Sequence, residues 1–448
     1  MSSTHSRFQT VAELRELFSS TPESEHEALF REVASAGFPL LAPEGTRTTF
    51  CLWEPDVFPE PLPDDCVAHL WVNRLTDKQF YSRGLMARMP GTQVWAVELD
   101  VPPTLMASYG FGVVPSPETD SPATSATATA HHTITRYPDP HARSGAARFT
   151  PEGEPELSAF YGPLSPAARN NWLNRTRASD SPVPETTATC TDGHERPLLA
   201  YVPEHREEPR AALPVVFLLD APTWFQQFHL ADVLDWAISA GLLPPLCVAG
   251  AGALDPRDRA HVYAHLPETP ETSILAHLYS QALDFARESA TESGTALNTS
   301  NGVIIAGQSM GGLGALQLDR HPARAGTPPR ALVISSPSVW WSPKPGATPA
   351  NLGQEEVDWA AREYFLEPHS SPSHAPLFID AGAREGLLVS KSFQLWAAAA
   401  GNGRDTHFRV MDGGHDQLWW AFSLVERLGM ILNASPSSAN PEQTNTPI

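Results

Sequence analysis

Gly307-Gln308-Ser309-Met310-Gly311-Gly312 is the stretch of this 448-residue chain best suited to covalent chemistry. A β-branched run, Val303-Ile304-Ile305-Ala306, precedes it, and an apolar-periodic run over residues 313–318 follows it. Strand, Gly-x-Ser-x-Gly, helix is the setting of a nucleophile elbow, in which a sharp turn strains the serine backbone and lifts its hydroxyl off the sheet. Without that setting, Gly-x-Ser-x-Gly is a common glycine-rich turn; the flanking strand and helix make Ser309 a candidate nucleophile. Met310 then opens the helix, where its backbone N–H can face a developing oxyanion.

A serine hydroxyl is a weak nucleophile and needs a base held by an orienting group. On this kind of fold the acid and then the histidine follow the serine along the chain. Downstream, His321 closes the helix after the elbow, His369 and His374 lie in a Ser/Pro loop, and His407 opens a strand. His415 sits in Asp412-Gly413-Gly414-His415-Asp416, a glycine loop between a strand and an aromatic helix, which is where the base belongs. Two carboxylates compete for the orienting role. Asp380 is still within the strand 376–380, and Glu385 lies on the loop beyond it. The loop position favours Glu385, with Asp380 as the alternative. A second oxyanion N–H is expected just after the apolar strand 214–220, from Ala221 or Thr223, because Pro222 has no N–H.

From residue 198 onward strands and helices alternate, and several strands read as unbroken apolar runs, as in a parallel sheet buried on both faces. The fold expected is an α/β-hydrolase sheet with helices on both faces, preceded by a smaller β-sandwich domain. The sandwich is read from the short strands and Pro/Gly turns over 46–111, behind two helices beginning near Thr10 and Glu25. Within it Asn73, Thr76-Asp77 and the 85–92 segment form a polar and basic set that turn chemistry alone would equally explain. The expected division is 1–115 for helices and sandwich, 116–148 for a low-complexity Pro/Ser/Thr/Ala linker, 149–435 for the hydrolase domain and 436–448 for a disordered tail.

The net charge of −21 argues against nucleic acid and anionic membrane surfaces, and an anionic substrate would need a local basic pocket. No signal-like apolar core and no run of 18 apolar residues is present, so a cytoplasmic chain without membrane insertion is expected. Cys51, Cys66, Cys190 and Cys247 are scattered with no CxxC spacing; Cys51 and Cys247, in strand-like stretches, read as buried free thiols, and nothing requires the alternative, a Cys51–Cys66 bridge. His131-His132 and the pair His261 and His265 lack the companions of a metal site, so no metal and no cofactor is expected.

Both halves resemble the enterochelin (ferric enterobactin) esterase family, of the esterase-D type. In the second half the resemblance is carried by Leu218-Leu219-Asp220 with Trp224, the 307–312 elbow, Ser338-Val339-Trp340-Trp341, Ala381-Gly382-Ala383-Arg384-Glu385, and Gly413-Gly414-His415-Asp416 with Trp420. In the first half Trp53, Val72-Asn73 with Thr76-Asp77, Leu85-Met86, Arg88, Pro90-Gly91-Thr92 with Val94-Trp95, and Ser108-Tyr109 match the family's N-terminal domain. The resemblance implies hydrolysis of the esters of a tricatecholate trilactone siderophore, with iron present only as part of the substrate, in the cytosol after import. It places the serine, acid and histidine on Ser309, Glu385 and His415. The chain departs from the family pattern at Ala221, at Ala421 and in a weakened Arg257-Asp258-Arg259 cluster.

Such a substrate is a trianion with flat aromatic faces. Trp224, Trp340, Trp341 and Trp420 are candidates to stack on it, with core packing the competing use of each. Arg88, Arg257, Arg259 and Arg384 are candidates to offset its charge. The sandwich is expected over the mouth of the Ser309 site, with Arg88 holding the anion. Two other readings stay open: an esterase-D activity (carboxylesterase or acyltransferase) on another small ester, and a module that binds without turnover. The sequence leaves the oligomeric state undetermined.

Overall fold

Period-two alternation divides the N-terminal strands between two cores. The computed structural model describes residues 10–42, 45–117, 135–150, 152–169, 183–204, 212–264, 273–320, 329–341 and 373–433. Strands β1 (Leu40–Leu41), β2 (Arg47–Trp53), β3 (Cys66–Val72), β4 (Ala87–Arg88), β5 (Val94–Asp100), β6 (Met106–Pro115), β7 (Ala146–Phe149) and β8 (Pro155–Tyr161) form two four-stranded sheets, β1-β2-β5-β4 and β3-β6-β8-β7. Phe50 and Leu52 of β2 meet Leu70, Val72, Tyr109 and Phe111 between the sheets. Cys51 and Trp53 point the other way, onto Leu14, Phe18 and Phe30 of the helices Val11–Ser19 and His26–Ala34. Side chains that alternate across a strand allow one strand to serve both cores.

The second sheet is also buried on both sides. Phe160 of β8 joins the sandwich core, whereas Ala159 and Tyr161 join a core of the following domain. The sandwich therefore runs to Tyr161, past the boundary expected at 115, and β7 and β8 do not belong to the hydrolase domain that was expected to begin at 149. Local pattern could not reveal this, because β8 pairs with β6 across the low-complexity segment, and β7 joins the sheet only through β8. Most of that segment (118–134) and the tail from 434 lie outside the described residues.

The second domain is one large sheet. It contains β9 (Glu185–Thr189), β10 (Glu195–Tyr201), β11 (Leu213–Leu219), β12 (Cys247–Ala251), β13 (Leu297–Asn298), β14 (Val303–Gln308), β15 (Pro329–Ser335), β16 (Leu377–Gly382) and β17 (Thr406–Met411). Their order is β17-β16-β15-β14-β11-β12-β10-β9, with β13 beside β11. From β17 to β12 the pairs are parallel; β10 and β9 are added antiparallel. Val215, Phe217 and Ile305 face one core, closed by Leu278, Leu313 and Leu395 from three helices. Val216, Leu218, Ile304 and Ala306 face the other, closed by Leu234 and Phe422. Burial on both faces is why these strands read as unbroken apolar runs. The α/β-hydrolase sheet expected from the sequence is the one observed. The four cysteines are free thiols.

Candidate active site

Three loops at the carboxyl ends of β14, β16 and β17 bring the candidate residues together, as expected at the edge of a parallel sheet. Ser309 holds a left-handed backbone with φ of 56°, between β14 and the helix Met310–Arg320. A Cβ on Gly307 would lie 2.1 Å from the Gly311 carbonyl oxygen, so the elbow cannot close with any other residue there. The Ser309 hydroxyl donates to His415 Nε2 at 2.9 Å, and His415 Nδ1–H donates to Glu385 Oε1 at 2.5 Å. The second Glu385 oxygen accepts from the Ser336 hydroxyl and the Gly382 N–H, both at 2.7 Å. Trp420 Nε1 in turn donates to Ser336 Oγ at 3.0 Å, and its ring meets the imidazole edge-on with centroids 4.7 Å apart. The acid is thus locked by buried donors and holds the ring nitrogen facing it as N–H, leaving Nε2 free to take the serine proton.

Asp380 has another task. Its oxygens accept from Arg427 (2.6 and 3.1 Å), from Arg409 (3.0 and 3.1 Å) and from the Ser423 hydroxyl. Burial pushes this carboxyl up, but the Arg427 hydrogen bond and the charges of Arg409 and Arg427 outweigh it and hold it below the ordinary carboxylate range. The competition left open by the sequence resolves in geometry: Glu385 faces His415, and Asp380 anchors β16 to the last helix, Gln417–Asn433.

A cavity of about 610 Å³ opens above Ser309 and His415. Trp224 and Trp420 line it but are 2% and 3% exposed, and Trp224 Nε1 is committed to Gln308 Oε1 at 2.8 Å. They form walls and offer edges more than open stacking faces. Arg259 lines the cavity while pairing with Asp220 at 2.6 and 2.8 Å. Ala221 is fully buried between the lining residues Asp220 and Pro222, and Met310 begins the helix behind Ser309.

Other expected substrate contacts are not brought to this cavity among the described residues. Arg88 donates to the Thr92 carbonyl oxygen at 2.8 Å and lies over Trp95 in the sandwich. Arg384 is beside the histidine loop, 3.5 Å from Asp412. Trp340 and Trp341 pack half-buried against the hydrolase core. In each case a nearer carboxylate, carbonyl or apolar surface captures a side chain whose type alone suggested substrate. The cation that the sequence reading missed is Arg148, on β7, which lines the cavity and pairs with Glu156 at 2.9 Å. It lies in a short, half-exposed strand beyond a low-complexity segment, and nothing in its local sequence marks it.

The sandwich does reach the Ser309 site. Asn73 Oδ1 accepts from the His415 backbone N–H at 2.7 Å. The Ser108 N–H and hydroxyl donate to Asp416 at 2.6 and 2.8 Å, and the Met106 N–H donates to the Asp412 carbonyl oxygen at 2.9 Å. Burial pushes the Asp416 carboxyl up, opposed by the N–H groups of Ser108 and Leu418.

Comparison with known proteins agrees with this architecture. The family model described as "Putative esterase" matches residues 190–431, and the model of the enterochelin esterase N-terminal domain matches 63–172. Among relatives, the iron(III) salmochelin esterase of Escherichia coli O6:H1 is 26% identical over 410 residues, covering 90% of this chain and 92% of that protein. The iron(III) enterobactin esterase of Dickeya dadantii is 26% identical over 450 residues, covering 94% and 96%. The crystal structure of the Shigella flexneri enterobactin esterase in the presence of enterobactin superposes with a TM-score of 0.67 at 21% identity, over 86% of this chain and 93% of that one, which shows a shared fold. Among the described residues no helix is long and apolar enough to cross a membrane. Since the esterase model spans more than half of its length, this chain belongs to the esterase family, and in front of that domain it carries one that matches the enterochelin esterase N-terminal model.

Proposed function

We propose that the chain is a serine esterase that cuts the ester bonds of a tricatecholate trilactone siderophore, in its ferric form, in the cytosol after import. The observation that carries this reading is the two-domain wall of the cavity: Arg148 from the sandwich and Arg259 from the hydrolase domain both line the space above Ser309. A small ester needs no such second wall, whereas a bulky anion does. The relatives named above act on iron(III) siderophores of this class, by name.

In the reaction the Ser309 oxygen attacks the ester carbonyl as its proton passes to His415 Nε2. Backbone N–H groups of Met310 and of Ala221 or its neighbour Thr223 are assigned to the tetrahedral oxyanion. Collapse breaks the ester C–O bond, and His415 returns the proton to the leaving alkoxide. Water, deprotonated by the same imidazole, then releases the acyl group and restores Ser309. Glu385 orients the imidazole and balances its charge throughout. The direct test is purified protein incubated with ferric enterobactin, with products followed by mass. Linear trimer, dimer or monomer must form, and their absence alongside turnover of simple aryl esters would move the substrate to another class.

Arg148→Ala should raise KM for the tricatecholate roughly three- to tenfold, the scale of one partly screened charge contact, and leave a neutral aryl ester unchanged. Arg88→Ala, whose side chain is engaged within the sandwich, should change neither. Equal responses of both substrates to Arg148→Ala would remove it from substrate binding.

A further inference from the structure

We infer that Asn73 is a positioning residue for His415, so that the N-terminal sandwich takes part in acyl transfer on every ester and is not only a wall for large substrates. The inference rests on Ser309 and His415 being the catalytic pair. Its starting point is the loop itself. Gly413-Gly414 directly precedes His415, and two consecutive glycines give a backbone with little intrinsic preference. A base held to a few tenths of an ångström on such a loop must be restrained from outside it.

The hydrolase domain holds the two glycines, whose carbonyl oxygens accept from the Arg384 N–H at 3.1 Å and Trp419 Nε1 at 2.7 Å, but the bond to the His415 backbone itself comes from the other domain. Asn73, directly after β3, accepts the backbone N–H of His415 itself at 2.7 Å. The fit is close enough that a Cβ on Gly414 would lie 2.5 Å from Asn73 Oδ1 and 2.7 Å from the Asn73 carbonyl oxygen, so the glycine is there to admit Asn73. Asn73 sits on a braced turn. The buried Thr76 hydroxyl accepts from the Val72 N–H at 2.7 Å, and Asp77 accepts from the Arg74 N–H at 2.8 Å, with Arg74 held at φ of 62°. This gives the Asn73, Thr76-Asp77 group a single purpose: the threonine and aspartate fix the turn, and the asparagine projects from it. On the far side of His415, Asp416 is held by Ser108. The loop is therefore pinned by β3 and β6 on either side of the base.

The test compares Asn73→Ala with Asn73→Asp, which keeps an acceptor at the same place. The readouts are kcat and KM on a neutral aryl ester and the rate at which a fluorophosphonate labels Ser309, each beside wild type and Ser309→Ala. Loss of the restraint should lower kcat and the labelling rate of Asn73→Ala by about ten- to a hundredfold at unchanged KM, the penalty of a base displaced by about an ångström. Asn73→Asp should recover most of both rates. Wild-type labelling in Asn73→Ala, or an Asn73→Asp as slow as the alanine variant while equally folded by thermal melting, would overturn the inference. Should Asn73→Ala fail to fold, Asn73→Asp against wild type decides, since loss of rate in a folded acceptor-bearing variant also overturns it. Turnover or labelling that survives Ser309→Ala would instead overturn the catalytic pair on which the inference stands.

Discussion

Ser309→Ala should lower ester turnover by roughly four to six orders of magnitude, the scale of losing the nucleophile of a serine hydrolase, with KM or ligand affinity almost unchanged. The variant should remain folded. The strain at φ of 56° belongs to the turn, and alanine carries the same Cβ as serine. The hydroxyl's partners are His415 Nε2 at 2.9 Å, which lines the cavity, and Ser338 Oγ at 3.4 Å, a long contact whose loss costs little. Steady-state assays on tricatecholate and aryl ester, with equilibrium binding of the ferric siderophore, measure the two halves of the expectation. Residual turnover above a trace would place the nucleophile elsewhere.

Glu385→Gln and Asp380→Asn should separate activity from stability. Glu385→Gln removes the charge that fixes the His415 proton on Nδ1, and an amide facing that nitrogen can select the wrong tautomer; turnover should fall about 10³- to 10⁴-fold. Its folding should change little by comparison, because the Ser336 and Gly382 donors can still find an amide oxygen. Asp380→Asn should do the reverse. It leaves the guanidinium groups of Arg427 and Arg409 short of a counter-charge in a site where the carboxyl is 1% exposed. Breaking such a pair from one side destabilises on the order of 3 kcal/mol, read by denaturant unfolding. Because the folded Asp380 carboxyl titrates below its unfolded value, its contribution is complete above the ordinary carboxylate range and is lost as pH falls through the folded value. The gap between wild type and Asp380→Asn should therefore close at strongly acid pH and stay constant above it. An Asp380→Asn variant that is inactive yet as stable as wild type would transfer the orienting role to Asp380.

What the sequence alone determined is what local physics determines. The elbow was legible because its strand, glycines and helix are contiguous, and steric closure at Gly307 admits no substitute. His415 was legible because a glycine loop between a strand and a helix is a local signal, and the parallel sheet because strands buried on both faces lose their polar alternation. Loop position in the sequence favoured Glu385 and kept Asp380 as the alternative; the task of Asp380 took tertiary structure, since only the approach of Arg409 from the next strand and Arg427 from the last helix assigns it to an ion pair. The cations followed the same rule. Arg88 and Arg384 look available in sequence but are captured by neighbours, whereas Arg148 reaches the cavity on β7, which joins the sandwich by pairing with β8, itself paired with β6 across the low-complexity segment. Asn73 stood out in the sequence without a task, because its partner, the His415 N–H, lies 342 positions away. Hydrogen bonds and ion pairs between side chains depend on distance in space, and only the packing of the sandwich against the hydrolase sheet sets those distances.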